Sequence, residues 1–300
     1  MCRTVDLRHA VLAKNDDLAA ELRAELAARD VTAVNLMSSP GSGKTALLER
    51  VLTRAGERHV HAAALTADLA TENDARRLAR SGAPVRQVLT GGLCHLEAEQ
   101  VRGHLTGWLP RDTRVLFVEN VGNLVCPAGY DLGESLRVVL MSVTEGEDKP
   151  VKYPTAFGLA QLVVLTKTDL AQAVEFDEDA FAAHVQQINP GVEVLRTSAR
   201  TGQGVEELLD RALATCAGVR PHQPVLARRH ARGHGHEHGP EHAHPPEPGL
   251  GHAHEPVPEH SHEPGPQHAH AHAAADEPGH AHSDGPVPAE AAFQTVSEGS

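Results

Sequence analysis

The chain has 300 residues and a net charge of −13, and its only aromatic side chains are five Phe, two Tyr and one Trp. The acidic balance excludes a surface that binds nucleic acid or anionic membranes through charge alone. No apolar run reaches the roughly 18 residues that a membrane-spanning helix needs, and no signal-peptide pattern opens the chain. Four scattered cysteines do not suggest a disulfide framework. We therefore expect a cytoplasmic protein with no membrane or nucleic-acid partner.

The composition divides the chain near residue 220. Residues 221–300 hold 16 of the 22 His and 13 of the 20 Pro, and Phe293 is their only aromatic side chain. A segment of that composition buries too little apolar surface to offset the entropy lost on ordering it. We therefore predict an N-terminal helical segment at 1–30, one folded domain at 31–220 and a disordered C-terminal tail at 221–300.

Helix and strand patterns alternate through the predicted domain. Leucines spaced four apart predict a helix over 5–29, and an apolar run predicts a strand at Val31–Met37. The further predicted strands are 59–66, 85–89, 114–118, 138–143, 162–166 and 193–196. The further predicted helices begin near 45 and cover 72–80, 95–108, 179–187 and 205–216. Apolar strands bounded by helices favour an α/β fold whose mostly parallel sheet is covered by helices on both faces.

A glycine-rich turn follows the first strand and opens the next helix. Its residues are Ser38, Ser39, Pro40, Gly41, Ser42, Gly43, Lys44 and Thr45. Gly41 and Gly43 permit a backbone turn whose N–H groups point at phosphate oxygens, and the helix N-terminus favours the same anion. Lys44 is placed for the β- and γ-phosphates and the Thr45 hydroxyl for Mg²⁺. The segment predicts a P-loop, although Ser38 replaces the usual first glycine; the alternative is a turn that binds no nucleotide.

Two later segments bear on the choice of base. Residues 166–169 read Thr-Lys-Thr-Asp where P-loop GTPases carry Asn-Lys-x-Asp. The Asp169 carboxylate accepts hydrogen bonds from N1–H and the N2 amino group of guanine, and the Lys167 stem can lie over the ring. Ser198 and Ala199 begin a segment that resembles the Ser-Ala-Lys loop, whose backbone N–H meets guanine O6. Together these segments favour GTP over ATP; the alternative at Asp169 is a solvated polar loop.

Two carboxylates are candidates for the work that hydrolysis requires near Mg²⁺ and the attacking water. Asp68 lies just past the second strand, and Glu119 ends an apolar run where GTPases have Asp-x-x-Gly, with Gly122 as the glycine. A glycine that moves with the γ-phosphate makes this segment a candidate switch. We predict Lys44, Asp68 and Glu119 as catalytic residues, and Thr45, Asp68 and Glu119 as Mg²⁺ ligands. Asp68 has a plain alternative as a helix cap.

A pair of loops carries candidate ligands for a softer metal. Cys94 and His95 adjoin at the end of a strand, and Cys126 follows the predicted switch. Two thiolates and an imidazole suit Ni²⁺ or Zn²⁺ rather than Mg²⁺. Because adjacent side chains do not easily enter one compact site, a contribution from two subunits is plausible. The alternative is that these cysteines are inert buried hydrophobes, which is the role we expect for Cys216.

The tail repeats His at alternate positions. The clustered residues are His234, His236, His238, His242, His244, His252, His254, His260, His262, His268, His270, His272, His280 and His282. Neutral imidazoles spaced in this way in a flexible chain can chelate a borderline metal two at a time. We expect many weak sites for such a metal, which release it below about pH 6. The alternative is a solubilising acidic linker.

These segments resemble the hydrogenase nickel-incorporation GTPase (HypB) family over about residues 31–213. The matching segments are 35–45, 90–95, 119–128, 142–150 and 197–202. The resemblance implies a SIMIBI-class P-loop NTPase that forms a homodimer when GTP is bound. It also implies that Cys94, His95 and Cys126 bind Ni²⁺ or Zn²⁺ at the dimer interface. Lys149 belongs to a segment that the resemblance places near the nucleotide across the dimer.

The function that the resemblance implies is nickel delivery. Such a metallochaperone hydrolyses GTP to drive nickel insertion into the [NiFe]-hydrogenase large subunit, with the nickel chaperone HypA as partner. The His-rich tail would store nickel, although the family's His-rich segments usually lie near the N-terminus and its N-terminal Cys motif is reduced here to Cys2. Two alternatives stay open: a urease accessory (UreG) GTPase, whose Cys-Pro-His motif reads Cys126-Pro-Ala here, and a nickel or zinc storage protein that is not catalytic.

Overall fold

Seven parallel strands build one sheet in the computed structural model, which describes residues 2–68 and 73–227. The strands are β1 (Thr32–Ser38), β2 (Ala62–Asp68), β3 (Val85–Leu89), β4 (Val115–Gly122), β5 (Leu136–Ser142), β6 (Leu162–Thr166) and β7 (Val194–Arg196). Their order across the sheet is β3-β2-β4-β1-β5-β6-β7. The predicted α/β fold with a parallel sheet is confirmed. The histidine clusters between His234 and His282 lie outside the described residues.

Helices connect most of the strands, whereas β4 and β5 are joined by a loop with a single 3₁₀ turn. The helices are α1 (Cys2–Ala28), α2 (Lys44–Glu57), α3 (Asn73–Ala79), α4 (Ala98–Leu105), α5 (Lys149–Lys152), α6 (Pro154–Gly158), α7 (Glu178–Ile188) and α8 (Val205–Cys216). Short 3₁₀ turns lie at Pro127–Gly129, Val143–Glu145 and Thr168–Leu170. Within residues 2–68 and 73–227, no helix combines the length and the apolar character needed to cross a membrane.

The helices bury both faces of the sheet. α2, α3 and α8 pack on one face, against alternate strand residues such as Val34 and Leu36 of β1. On the other face, α1 and α4 pack over β2 and β4, and α6 and α7 pack over β5 and β6. Because side chains alternate between the faces of a strand, burial of both faces explains why the central strands are continuous apolar runs.

Strand β4 is longer than the apolar run that predicted it. It continues past Val118 to Gly122, so that Glu119 and Asn120 lie inside the strand rather than after it. Both side chains are only 1% exposed. Polar groups stay buried at this depth only where the protein supplies most of their hydrogen bonds, and those partners are contributed by residues distant in sequence.

Helix α4 begins later than predicted, at Ala98 instead of His95. Glu97 and Gln100 form a reciprocal capping box, in which Oε1 of Gln100 accepts a hydrogen bond from the Glu97 N–H at 3.1 Å. Because this pair satisfies backbone N–H groups of the first turn, the helix starts there. Cys94 and His95 therefore lie in the preceding loop.

A polar seam crosses the second face of the sheet between its two apolar clusters. Glu134 and Arg137 form a buried pair there, with 2.6 Å between Oε1 and Nε. Arg137 also donates to the carbonyl oxygens of Ala128 and Tyr130 at 3.1 and 2.9 Å. The pair thereby holds the connection between β4 and β5 against the sheet.

Helix α1 closes over this connection. Asn15 donates to the carbonyl oxygen of Asp131 at 2.8 Å and accepts from the N–H of Ala98 at 3.0 Å. Arg23 donates to both carboxylate oxygens of Asp131 at 2.6 Å. Gly133 has φ +74°, and a Cβ there would lie 2.8 Å from a carbonyl oxygen of α1. A residue other than glycine would therefore be strained and would push the helix away.

Residues 221–227, which we expected to belong to the tail, pack back onto the folded domain. Nε2 of His222 lies 2.9 Å from Oδ1 of Asn189, at the end of α7. Leu226 covers Gly158 so closely that a Cβ at Gly158 would lie 2.5 Å from Cδ1 of Leu226. Polar and apolar contacts with α6 and the end of α7 therefore both hold the segment in place.

Replacing Glu134 with Gln should destabilise the protein at neutral pH. Burial by itself raises the pKa of Glu134, but the charge of Arg137 and backbone hydrogen bonds outweigh burial and lower this pKa from 4.5 to about 2. The carboxylate therefore stabilises the fold above pH 4.5, and this contribution is lost as the pH falls toward 2. The shift corresponds to about 3 kcal/mol, as expected for breaking a buried ion pair.

Urea denaturation of wild type and Glu134→Gln at pH 7 and at lower pH measures this contribution. We expect a difference of about 3 kcal/mol in the free energy of unfolding at pH 7, narrowing below pH 4.5. Glu193→Gln is the matched control, because Glu193 pairs with Arg211 at the surface, where the two side chains are 43% and 49% exposed. Such a pair contributes less than about 1 kcal/mol. Equal losses in the free energy of unfolding for Glu134→Gln and Glu193→Gln would contradict the assignment of this contribution to the buried pair.

Candidate functional site

The glycine-rich turn surrounds an open cavity at the carboxyl end of the sheet. β1 ends at Ser38, and α2 begins at Lys44. Gly41 and Gly43 have φ of +74° and +89°, which only glycine adopts without strain. The turn, together with Thr45 and acidic residues of neighbouring elements, lines a cavity of 440 Å³. The geometry is that of a phosphate-binding loop at a helix N-terminus.

Glu119 joins the side chains that a bound phosphate would use. It is buried beneath the turn, and its Oε1 lies 3.3 Å from Nζ of Lys44. Thr45 donates its hydroxyl to the same oxygen at 2.6 Å, and Thr66 of β2 donates to Oε2 at 2.9 Å. Lys44, Thr45 and Glu119, which the sequence assigned to the phosphates, Mg²⁺ and hydrolysis, therefore form one cluster.

Two further carboxylates border the same cavity. Asp68 is the last residue of β2 and lines the cavity beside Thr45. Asp74, in the first turn of α3, was not predicted. Burial raises the pKa of Asp74, the charge of Glu119 raises it further, and a hydrogen bond with Thr45 opposes both. An acidic residue in a first helical turn resembles an ordinary partner of the helix dipole, so its sequence position carried no functional signal.

A second cavity, of 550 Å³, adjoins the turn where the sequence predicts the base. Lys167, Asp169 and Ala199 line it, together with Gly43 of the turn. Lys167 donates from Nζ to the carbonyl oxygen of Gly41 at 2.7 Å, so its stem crosses the turn. Thr166, which stands where Asn is usual, donates its hydroxyl to a carbonyl oxygen of the same turn. Both residues fix the end of β6 to the phosphate loop.

The Asp169 carboxylate is held by two neighbours. Ser198 donates its hydroxyl to Oδ1 at 2.6 Å, and Arg200 donates from Nε to Oδ2 at 2.8 Å. The Ser198 hydrogen bond is the largest influence on the pKa of Asp169 and lowers it; burial opposes this, and Arg200 lowers it further. Asp169 is therefore a charged acceptor at neutral pH, facing the cavity that Ala199 also lines.

The cysteines predicted to bind a softer metal come together across two loops. Sγ of Cys94 lies 3.7 Å from Nδ1 of His95, although we expected these neighbouring side chains to diverge. A hydrogen bond with the Cys126 thiol, followed by burial, raises the pKa of Cys94. The His95 ring packs against Tyr130 with 4.0 Å between centroids, and its Nε2 lies 3.6 Å from Oε1 of Glu97, beyond hydrogen-bond distance. The thiols and the imidazole thus share one neighbourhood.

That neighbourhood is not a complete metal centre within one chain. Among residues 2–68 and 73–227, no group of three or more His, Cys, Asp or Glu side chains is arranged to hold a metal ion. Lys149 pairs with Glu145 at 3.1 Å and lines neither of the two cavities described above. Cys216, the last residue of α8, is partly buried against the core, with Sγ 3.5 Å from the carbonyl oxygen of Arg114.

Comparison with known proteins places these loops in a family. A family model described as CobW/HypB/UreG, nucleotide-binding domain, matches residues 32–196. Hydrogenase maturation factor HypB of Azotobacter chroococcum is 47% identical over 207 residues, which cover 69% of this chain and 68% of the relative. Hydrogenase/urease maturation factor HypB of Helicobacter pylori is 36% identical over 210 residues, covering 68% of this chain and 85% of the relative.

A solved structure agrees with these matches. The crystal structure of HypB from Helicobacter pylori in complex with nickel aligns with a TM-score of 0.65 and 34% identity, over 70% of this chain and 98% of that chain. The match to the family model contains the phosphate loop, the Cys94 loop and the connection that carries Cys126. The chain therefore belongs to the CobW/HypB/UreG family of P-loop NTPases and, within that family, to the HypB proteins.

Proposed function

We propose that the protein is a nickel metallochaperone that hydrolyses GTP to drive nickel insertion into the [NiFe]-hydrogenase large subunit. One observation carries this proposal. Glu119, which contacts the phosphate loop, and Cys126, which neighbours Cys94, lie seven residues apart on one continuous segment. A change at the phosphate site therefore has a short covalent route to the thiols. Coupling between two such sites is typically worth a 5- to 150-fold change in affinity, or about 1–3 kcal/mol.

The base cavity supports GTP as the nucleotide. Asp169 presents two carboxylate oxygens, and guanine offers two donors, N1–H and the N2 amino group, where adenine offers none in that arrangement. Charged hydrogen bonds of this kind are worth about 1.5–3 kcal/mol each. Ser198 orients the carboxylate, and Ala199 leaves room for the ring beside it.

The residues around the phosphate cavity fit Mg²⁺. The Thr45 hydroxyl and the carboxylates of Asp68 and Glu119 supply the hard oxygen donors that this ion prefers. When bound, Mg²⁺ would neutralise charge on the phosphates. Lys44 binds the β- and γ-phosphates, and Asp74 is the carboxylate that we assign to orienting the attacking water. Asp74 lies in the first turn of α3 and lines the same cavity as the phosphate loop.

The thiol loops suit nickel or zinc as cargo. Cys94, His95 and Cys126 are ligands of the right softness, and a second copy would complete the set. Leu93 and Val125, which flank the two cysteines, are 43% and 68% exposed. Apolar side chains exposed beside an incomplete ligand set favour a GTP-dependent homodimer at this surface. Lys149 would then reach the nucleotide of the partner subunit.

Further features complete the proposal. HypA would bring nickel to the protein, the histidine clusters of the tail would store it, and the cytoplasm would be the compartment. Urease is the alternative target, since the Helicobacter pylori relative is named for both enzymes. Against a UreG-type site, Ala128 stands where that motif has His. A storage protein without catalysis is the other alternative, and GTP turnover by the wild-type chain separates it from the chaperone.

Asp169→Asn should change the base preference. The amide replaces one acceptor with a donor, so we expect GTP to bind roughly 10- to 100-fold more weakly and xanthosine triphosphate, which accepts at O2, to bind more tightly. Competition binding with the two nucleotides measures this exchange. Asp179→Asn is the control, because Asp179 is exposed on α7 away from the cavity. Loss of both nucleotides in Asp169→Asn would argue against a base-reading role.

Gly122→Ala should slow hydrolysis, because Gly122 touches the phosphate loop. A Cβ at Gly122 would lie 3.2 Å from Cα of Pro40, so either strand β4 or the loop must shift. A misplacement of this kind costs roughly 10- to 100-fold in rate. Gly103→Ala in α4 is the control, since its Cβ meets no atom within 4 Å and alanine favours a helix. Steady-state GTP turnover compares the two, and equal rates would remove the switch assignment.

Cys126→Ser should abolish nickel binding through sulfur. Thiolate-to-nickel charge-transfer absorption reports such binding even when the tail is present, because residues 228–300 contain no Cys. We expect the band to disappear in Cys126→Ser and Cys94→Ser. The affinity for Ni²⁺ at this site should fall by more than the roughly 10- to 100-fold that is typical when a residue that only supports a metal ligand is lost. Cys216→Ser should retain the band. An unchanged band in the first two variants would assign nickel elsewhere.

A further inference from the structure

Strand β4 sends consecutive side chains to two different sites. Side chains alternate between the faces of a strand, so Glu119 and Asn120 point to opposite sides of the sheet. Glu119 reaches Lys44 of the phosphate loop. Asn120, on the other side, accepts a hydrogen bond at Oδ1 from the N–H of Leu96, at 3.3 Å. Leu96 directly follows Cys94 and His95, so one short stretch of strand touches both the nucleotide site and the thiol loop.

The Asn120 amide has a fixed orientation and two unused donors. Its Oδ1 also accepts from the N–H of Val121 at 2.9 Å, which assigns the oxygen and the nitrogen without ambiguity. Its Nδ2 is buried and has no hydrogen-bond partner. A buried donor left unpaired costs about 1–3 kcal/mol, and such groups in folded proteins call for an explanation.

A second asparagine extends the same connection. Asn123 follows β4, and its Oδ1 accepts from the N–H groups of Val125 and Cys126 at 2.8 and 3.4 Å. Its Nδ2 lies 3.5 Å from the carbonyl oxygen of Cys94. The Cys126 turn therefore follows any displacement of the end of β4, whereas the contact of that strand end with Leu96 depends on Asn120.

We propose that Asn120 is the positioning residue that carries the nucleotide state from Glu119 to the Cys94–His95 loop. In this proposal the Asn120 amide has two states, and the arrangement with an unpaired Nδ2 is one of them. In the other state, a shift of β4 that accompanies the exchange of GDP for GTP gives Nδ2 a hydrogen-bond partner and changes the contact with Leu96. The two states then differ in interaction energy at the thiol loop, which is what coupling between two sites requires. This inference rests on the proposed function, since it needs both GTP and a thiol-bound metal.

Asn15 provides a matched control. It is also a buried asparagine, and it also holds the region around Leu96, because its Oδ1 accepts from the N–H of Ala98 at 3.0 Å. Its other contact is the carbonyl oxygen of Asp131, and it lies on α1 rather than on β4. Loosening this loop through Asn15 should weaken metal binding without altering its dependence on the nucleotide.

The experiment titrates the full-length chain with Ni²⁺ in GDP and in a non-hydrolysable GTP analogue, following the thiolate-to-nickel band. In wild type we expect affinities that differ roughly 5- to 150-fold between the two nucleotides. In Asn120→Ala this ratio should fall toward one without reaching it, because Asn123 still joins the end of β4 to Cys94. In Asn15→Ala both affinities should fall while the ratio is kept. By reciprocity, nickel should change the preference between the two nucleotides by the same factor in wild type and by a correspondingly smaller factor in Asn120→Ala.

Asn120→Asp is a second variant that tests the same inference if Asn120→Ala does not fold. It keeps an acceptor for Leu96 and Val121 but lacks the two unused donors, and we expect its ratio to fall toward one as well. A wild-type ratio in both Asn120→Asp and a folded Asn120→Ala overturns the inference and leaves the proposed function intact. A wild-type chain that shows no thiolate band, no GTP turnover or no difference between nucleotides overturns the proposed function itself.

Discussion

The phosphate site and the thiol region both depend on the interactions of the buried Glu119 carboxylate. It contacts Lys44 and Thr45 of the phosphate loop and Thr66 of the neighbouring strand, so three chain segments converge on one charge. A carboxylate that is 1% exposed is stable only with such partners. Any ligand that competes for Lys44 or Thr45 must therefore change the forces on β4, and β4 leads directly into the thiol region.

The chain that follows the thiol region is held in place by a separate set of contacts. The Glu134–Arg137 pair ties the β4–β5 connection to the sheet, and Asn15 joins that connection to the start of α4. Cys126 thus lies between the end of β4, which contacts the phosphate loop, and a buried polar seam. Under the proposed function, a shift of β4 on nucleotide exchange would act on Cys126 while the seam holds the rest of the connection in place.

The features that could be predicted from the sequence are those that depend on local patterns of residues. The phosphate loop, the segment from Thr166 to Asp169 and the parallel sheet follow from glycine spacing and apolar runs. Asp74 was missed because an acidic residue in a first helical turn is common, and Asn120 because its partner, Leu96, is 24 positions away. The short helices α5 and α6, of four and five residues, are too brief for helical periodicity to be visible.

The docked segment 221–227 changes how the histidine-rich part of the chain is tethered. Without it, the chain would leave the domain at the end of α8; with Leu226 packed on Gly158, the chain stays on the domain as far as Ala227, which shares a cavity wall with Gly129 of the Cys126 connection. His234 lies seven positions after Ala227, which allows a span of at most roughly 25 Å. The stretch of chain between Ala227 and the first histidine cluster is therefore short. A shortened chain made to study the domain alone should end after Ala227, because a cut at residue 220 would uncover Gly158 and remove the contact between His222 and Asn189.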